Sequence, residues 1–222
     1  DGNNHYFHLR TRDVAGNWNA GAVHLGPFYI DATPPSNPSS LWSTSHSPYA
    51  WSNDNTVDMA WYEAWDGEGS GVAGYSIEWS TSWDTLPDTT IDLTGTSATS
   101  PPLADGNSWY FHLRTADNAG NWNAEAVHRG PYYIDTTPPS NPTWCSESYG
   151  AQSGLWQNFV ADPYFTWGGA WDASSGIAGY YLYWGTDPNG TSDYFQSEET
   201  FDPWSVPSPS THYLRVAARD NA

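Results

Sequence analysis

The sequence contains no lysine: its six cationic residues are all arginines, set against 25 Asp and Glu, for a net charge of −19 over 222 residues. A phosphate-rich partner, whether nucleic acid or an anionic membrane surface, needs a concentrated cationic face, and scattered arginines in so acidic a chain do not supply one. Lys–Asn isopeptide crosslinks and lysine-based catalysis are excluded by the same absence. The charge balance points instead to a divalent cation. The single cysteine, Cys145, has no partner for an internal disulfide and fits no metal-ligand spacing, so it reads as a small hydrophobe or a neutral surface residue. Apolar runs are only a few residues long, far short of the ~20 that a membrane-crossing helix needs. There is no initiator Met and no charged-then-apolar leader, which reads as a mature product or an interior segment. Also missing are Gly-x-Ser-x-Gly, a phosphate loop, a dinucleotide fingerprint and His-Glu-x-x-His. His5 and His8 lie three apart, on opposite faces of a strand, and Glu198-Glu199 reads as a solvated pair. Catalysis is not expected.

What the chain does have is repetition. Asp1 to Pro38 (DGNNHYFHLRTRDVAGNWNAGAVHLGPFYIDATPPSNP) returns as Asp105 to Pro142 (DGNSWYFHLRTADNAGNWNAEAVHRGPYYIDTTPPSNP), an offset of 104 residues between Asp1 and Asp105. Trp65-Asp66 with Ser70 to Tyr75 and Trp79 returns, more diverged, as Trp171-Asp172 with Ser175 to Tyr180 and Trp184, and Tyr213 to Ala222 echoes Tyr110 to Ala119. A period of this length is too long for a helical solenoid or a propeller blade and matches an autonomous β-sandwich of about 100 residues. The expected organisation is 1–34 as the last strands of one repeat, 35–138 as a complete repeat and 139–222 as a third repeat short of its last strand. Such a gap would be filled by chain continuation or by a neighbour's strand. Asp31 to Pro38 and Asp135 to Pro142 read as linkers, stiffened by consecutive prolines.

Within the whole repeat, apolar and polar residues alternate at Val57, Met59 and Trp61 and again at Tyr75, Ile77 and Trp79. Further strands are predicted at Thr89 to Leu93, Thr96 to Ser100 and Tyr110 to Thr115, and at Val127 to Ile134 with an interruption at Gly130-Pro131. The fold class is all-β, with tandem seven-stranded immunoglobulin-like sandwiches. The strand ending in Trp61, the Gly-Tyr-x-x-x-Trp strand from Gly74 and the segment Tyr110 to Asn121 come in an order that resembles fibronectin type III-like modules of bacterial and archaeal surface or secreted proteins. Leu103 ahead of Tyr110 is similar to the tyrosine corner of that family. The resemblance implies fold more than function, since such modules host many roles.

In a sandwich of that topology the incoming linker arrives beside the second-to-third and sixth-to-seventh strand loops. This gathers Asp31, Asp66, Glu68 and Asp117, with Asn118 nearby, and at the next junction Asp135, Asp172 and Asp220. Calcium takes six to eight oxygens, and uncompensated carboxylates repel unless a cation sits among them, so each group is a candidate Ca2+ site. The plainer alternative is that these residues shape turns by bonding nearby backbone.

Aromatic residues make up 17% of the chain, including 15 Trp, more than two sandwich cores require. Trp61, Trp79, Trp167 and Trp184 are predicted to be core; Trp18, Trp42, Trp51, Trp83, Trp122, Trp144, Trp156 and Trp204 are predicted in loops or near linkers, the first five as contacts for a glycan, a partner or an adjacent repeat. Asn189-Gly190-Thr191 is an N-glycosylation sequon, whereas Asn141-Pro142-Thr143 is blocked by its proline. The expected role is a structural, extracellular or cell-surface array built of repeats that meet one another or other copies in a filament, sheath or adhesin stalk. The second expectation is a carbohydrate-binding accessory region of a secreted glycan-degrading enzyme.

Overall fold

A computed structural model describes residues 1–222. Its secondary structure consists of fifteen strands: β1 (Gly2–Leu9), β2 (Val23–Ile30), β3 (Leu41–Ser43), β4 (Trp51–Ser52), β5 (Asp58–Trp61), β6 (Val72–Ser80), β7 (Ser97–Thr99), β8 (Gly106–Asp117), β9 (Val127–Ile134), β10 (Trp144–Glu147), β11 (Phe165–Gly168), β12 (Ile177–Gly185), β13 (Tyr194–Gln196), β14 (Thr200–Phe201) and β15 (Tyr213–Asp220). They form five small sheets ordered β1-β2, β3-β5-β7, β4-β9-β8-β6, β10-β11-β14 and β13-β12-β15. The architecture is all-β, with sheets of a size and pairing suited to compact sandwich-like domains. No helix is long and apolar enough to cross a membrane.

The chain forms two compact units, one of residues Asp1–Tyr49, Thr56–Pro101 and Ser108–Tyr132, the other of Ala50–Asn55, Pro102–Asn107 and Tyr133–Ala222. In the first, the alternation of β5 turns Met59 and Trp61 inward and leaves Asp58 and Ala60 on the outer face. Trp61 meets Tyr75 edge to face, with ring centroids 5.5 Å apart, and stacks on Phe111 at 5.7 Å. Leu113, Val57 and Tyr132 complete this core, and the Tyr132 hydroxyl points at the Met59 sulfur. Each such side chain removed from water stabilises the fold by roughly 1.5–3 kcal/mol. The second unit rebuilds the centre: Trp167 meets Tyr180 edge to face at 5.5 Å and both pack with Leu182, Phe165, Phe201 and Val216. There the Tyr180 hydroxyl donates to Glu199, and burial together with that carboxylate raises its pKa to about 12.

Hairpin β1-β2 repeats the sequence of β8 and β9, yet Phe7, Leu9, Phe28 and Ile30 are 43–56% exposed where Phe111, Leu113, Tyr132 and Ile134 are wholly buried. The strand sequence alone sets the hairpin, and the opposing sheet decides burial.

Several expectations are corrected. Thr89 to Leu93 forms no strand; only Leu93 bridges to Tyr75, because Asp92 accepts the Ile77 amide through its side chain and so displaces a backbone ladder. β9 runs unbroken through Gly130-Pro131. Trp51 lies not in a loop but in β4, which runs parallel to β9 and packs its indole on Tyr133 at 5.1 Å. Trp42 and Trp144 are likewise in strands, Trp42 half-buried in β3 beside Tyr62 and Trp144 at the start of β10. Trp79 and Trp184 are partly buried, with Trp79 against Phe111.

Candidate metal centre

Asp31 stands at the end of hairpin β1-β2, Asp66 in the loop after β5, and Asp117 at the end of β8; one carboxylate oxygen from each lies within 4.8 Å of the others. The second unit brings Asp135, Asp172 and Asp220 together in the same way. Asp117 and Asp135 are almost fully buried, with 2% and 1% exposure. Each cluster is a set of hard oxygen donors able to coordinate a divalent metal ion.

Turn chemistry places these groups. Asp117 accepts the amides of Ala119 and Asn121, and Asp172 accepts those of Ser174 and Gly176. Asp66 accepts Gly71, while the linker aspartates reach across to the loop: Asp31 accepts the Ser70 amide and Asp135 the Ser175 amide. Hydrogen bonds from the Ser70 side chain and amide hold the Asp31 carboxyl below its ordinary pKa, so it is ionised in any near-neutral medium. Gly69 is required at this point, because a Cβ there would lie 2.6 Å from the Asp66 carboxylate and 2.8 Å from that of Asp31.

Glu68 does not join the cluster. It is exposed, and lines an open pocket with Asp1, Thr33 and Asp66. The corresponding loop of the second unit, Asp172 to Gly176, is one residue shorter and has no acidic counterpart for it. Asn118 turns its amide nitrogen to the Ser70 and Gly71 carbonyls and staples the loop, as Asn221 does with Ser175 and Gly176.

Sequence reading missed how firmly the linkers are held. Asp105, the first residue of the recurring DGN, accepts the Thr136 amide and the hydroxyls of Thr136 and Thr137, and Asp1 binds Ala32 and Thr33 likewise. Thr137 holds the Asp105 carboxyl below its ordinary pKa, with the Thr136 amide helping. Further along the linker, Asn37 accepts the Thr115 amide and hydroxyl and donates to the Glu125 carbonyl, and Asn141 accepts the Ala218 amide. The proline segments are therefore docked. The available signal was recurrence, since both aspartates open a copy of the recurring DGN segment.

The tryptophans divide by surroundings. Trp122 is half-buried under the Arg114 guanidinium at 5.5 Å, and Trp18, 55% exposed, lies between Arg10 and Arg12. In both copies the arginine also bonds the loop carbonyl, Asn123 or Asn19, so these indoles anchor the Gly-Asn-Trp-Asn loop. Trp83 is 67% exposed, and Trp65 and Trp171 beside the acidic clusters are 72% and 67% exposed. Asn189 is exposed in a turn at the sequon.

No family model matches the chain. A stretch of 151 residues is 27% identical to Exoglucanase B of Cellulomonas fimi, covering 65% of this chain and 12% of that protein's length. Among solved structures, the crystal structure of chicken CNTN1 FN1-FN3 domains aligns with 85% of this chain and 62% of that one, at 15% identity and a TM-score of 0.33.

Proposed function

We propose that the chain is a run of non-catalytic, fibronectin type III-like accessory modules of a larger secreted protein that acts on polysaccharide, with its linkers pinned by calcium. The likeness to an exoglucanase over 65% of the chain carries the reading. Exposed aromatics outside the cores support it, because a Trp or Tyr face gives amphipathic contact area at small entropic cost. The all-oxygen donor sets favour calcium over softer metals, and each would take backbone carbonyls and water to complete six to eight ligands. The reading implies an extracellular or cell-surface location. Its test is sedimentation with insoluble polysaccharide, in which the accessory reading expects retention and loss of retention on every polysaccharide tried would remove it.

A second reading, a stalk or filament whose repeats contact one another or further copies, is favoured by the duplicated linker clasp at Asp1 and Asp105. Ordered fibres in negative stain, with no polysaccharide retention, would select it.

A further inference from the structure

On two of the three-stranded sheets, β3-β5-β7 and β10-β11-β14, the outer face carries an aromatic residue where an open sheet face ordinarily carries polar side chains. On β3-β5-β7 the outward positions are Trp42, opposite Ala60, and Tyr62, with Ser97 opposite Ala60 on the other side. The Trp42 and Tyr62 rings lie 5.1 Å apart at 57°, and Tyr62 is 64% exposed. Beyond them Asp58 accepts the Thr99 hydroxyl. On β10-β11-β14 the tryptophan has moved in register, since Trp144 sits opposite Gly168 whereas Trp42 sits opposite the residue equivalent to Thr166. Yet it occupies the same face. Its indole lies across the sheet: a Cβ at 168 would come within 2.7 Å of Cζ2, 3.0 Å of Cε2 and 3.1 Å of Nε1. Trp144 remains 51% exposed, and next to it Ser146, Thr166 and Thr200 form a floor of hydroxyls, the first two 3.0 Å apart.

We infer that these two faces are sugar-stacking subsites for a neutral polysaccharide, Trp42 with Tyr62 in one unit and Trp144 in the other. A pyranose ring has an apolar face for the indole and equatorial hydroxyls for the adjacent Ser, Thr and Asp58 oxygens. A shift of register that preserves the face is unexpected of a core or turn residue, whose place is fixed by its neighbours. The occupant is uncharged because a chain of net charge −19, with a carboxylate at one of the two faces, repels uronate and sulfate polymers. The assignment rests on the accessory reading above and specifies the surface through which it works.

The test compares the whole chain with W42A, W144A, the double variant and G168A on cellulose and on a polyuronate gel. Each tryptophan loss is expected to weaken retention on the neutral polymer about tenfold, additively for the pair, with the melting temperature unchanged because the rings lie outside the cores. W144F is expected to keep most of the binding and G168A, which pushes the indole off the sheet, to lose it. Wild-type retention that survives the double variant overturns the subsites and leaves the accessory reading standing; absence of wild-type retention overturns both. Stronger binding to the polyuronate overturns the neutral specificity.

Discussion

Exchanging Asp66 for Asn separates two explanations of the acidic cluster. Asparagine keeps an oxygen to accept the Gly71 amide but removes one of three negative charges held within 4.8 Å. If the residues only shape turns, Asp66→Asn relieves repulsion and leaves the melt unchanged or slightly raised with and without calcium. If they hold Ca2+, the wild type gains about 2.7 kcal/mol at a hundredfold excess over the dissociation constant. Asp66→Asn in one unit and Asp172→Asn in the other then each lose that gain, as calorimetry in EDTA and in excess calcium would read. A second titratable residue gives a pH prediction. His112 is fully buried between His128, 2.7 Å away Nδ1 to Nδ1, and the Ser80 hydroxyl at 3.0 Å, with Glu78 opposite it on β6. Burial first, then His128, lowers its pKa to about 4, against a partial upward pull from Asp84. A base whose folded pKa is depressed contributes stability that is complete above its unfolded value of about 6.5 and is lost as pH falls from there toward 4, up to ~3 kcal/mol. The carboxylates with lowered pKa act only below about pH 4. Urea melts between pH 7 and 4.5 therefore read the histidine, and His112→Asn should flatten that slope.

Strand β9 depends on Gly130, whose φ is 150° and whose added Cβ would lie 2.6 Å from the Trp109 carbonyl oxygen. Gly26 repeats this against the His5 carbonyl in the β1-β2 hairpin. Since backbone cannot retreat as a side-chain end can, Gly130→Ala should cost more than ~1 kcal/mol and lower the melting temperature, while Gly95→Ala, which meets nothing, should not. The same element marks what sequence reading could reach. β5 and β6 were legible because alternating apolar residues declare an inward face, and β8 because Tyr110 to Thr115 is rich in β-prone residues, although it is buried on both faces. β3 and β4, three and two residues long, are too short for a period of two to register, whereas β7 falls within the strand expected at Thr96 to Ser100. At Thr89 to Leu93 the β-prone residues were visible but the competing Asp92 side chain was not. The two aspartate triads followed from topology plus charge, whereas Glu68 looked equivalent to Asp66 because a sequence does not say which loop residue faces outward. Asp105 escaped notice because its partners lie 31 and 32 residues away across a hairpin.

For the whole molecule, both proposed roles draw on the order of the two Pro-Pro segments, 31–38 in one compact unit and 135–142 in the other. A Pro-Pro segment alone is a semi-rigid spacer, but here Asp105 grips Thr136 and Thr137, Asp135 reaches Ser175, and Asn141 accepts the Ala218 amide. These ties differ in kind. The Asp105 clasp is made of hydrogen bonds to uncharged groups and needs no ion, whereas Asp135 belongs to the acidic triad and responds to whatever neutralises it. Amide hydrogen exchange resolves them. Asp105→Ala should expose the Thr136 amide and speed its exchange at least tenfold, because its only acceptor is removed, while Ser175 is little affected. Chelation with EDTA should do the reverse, speeding Ser175 and leaving Thr136 protected. If both treatments accelerate both amides equally, the linker opens as one cooperative segment and the two ties are coupled. If EDTA changes neither, the triad carries no cation in solution, and the linker is held by the carboxylate and amide hydrogen bonds alone.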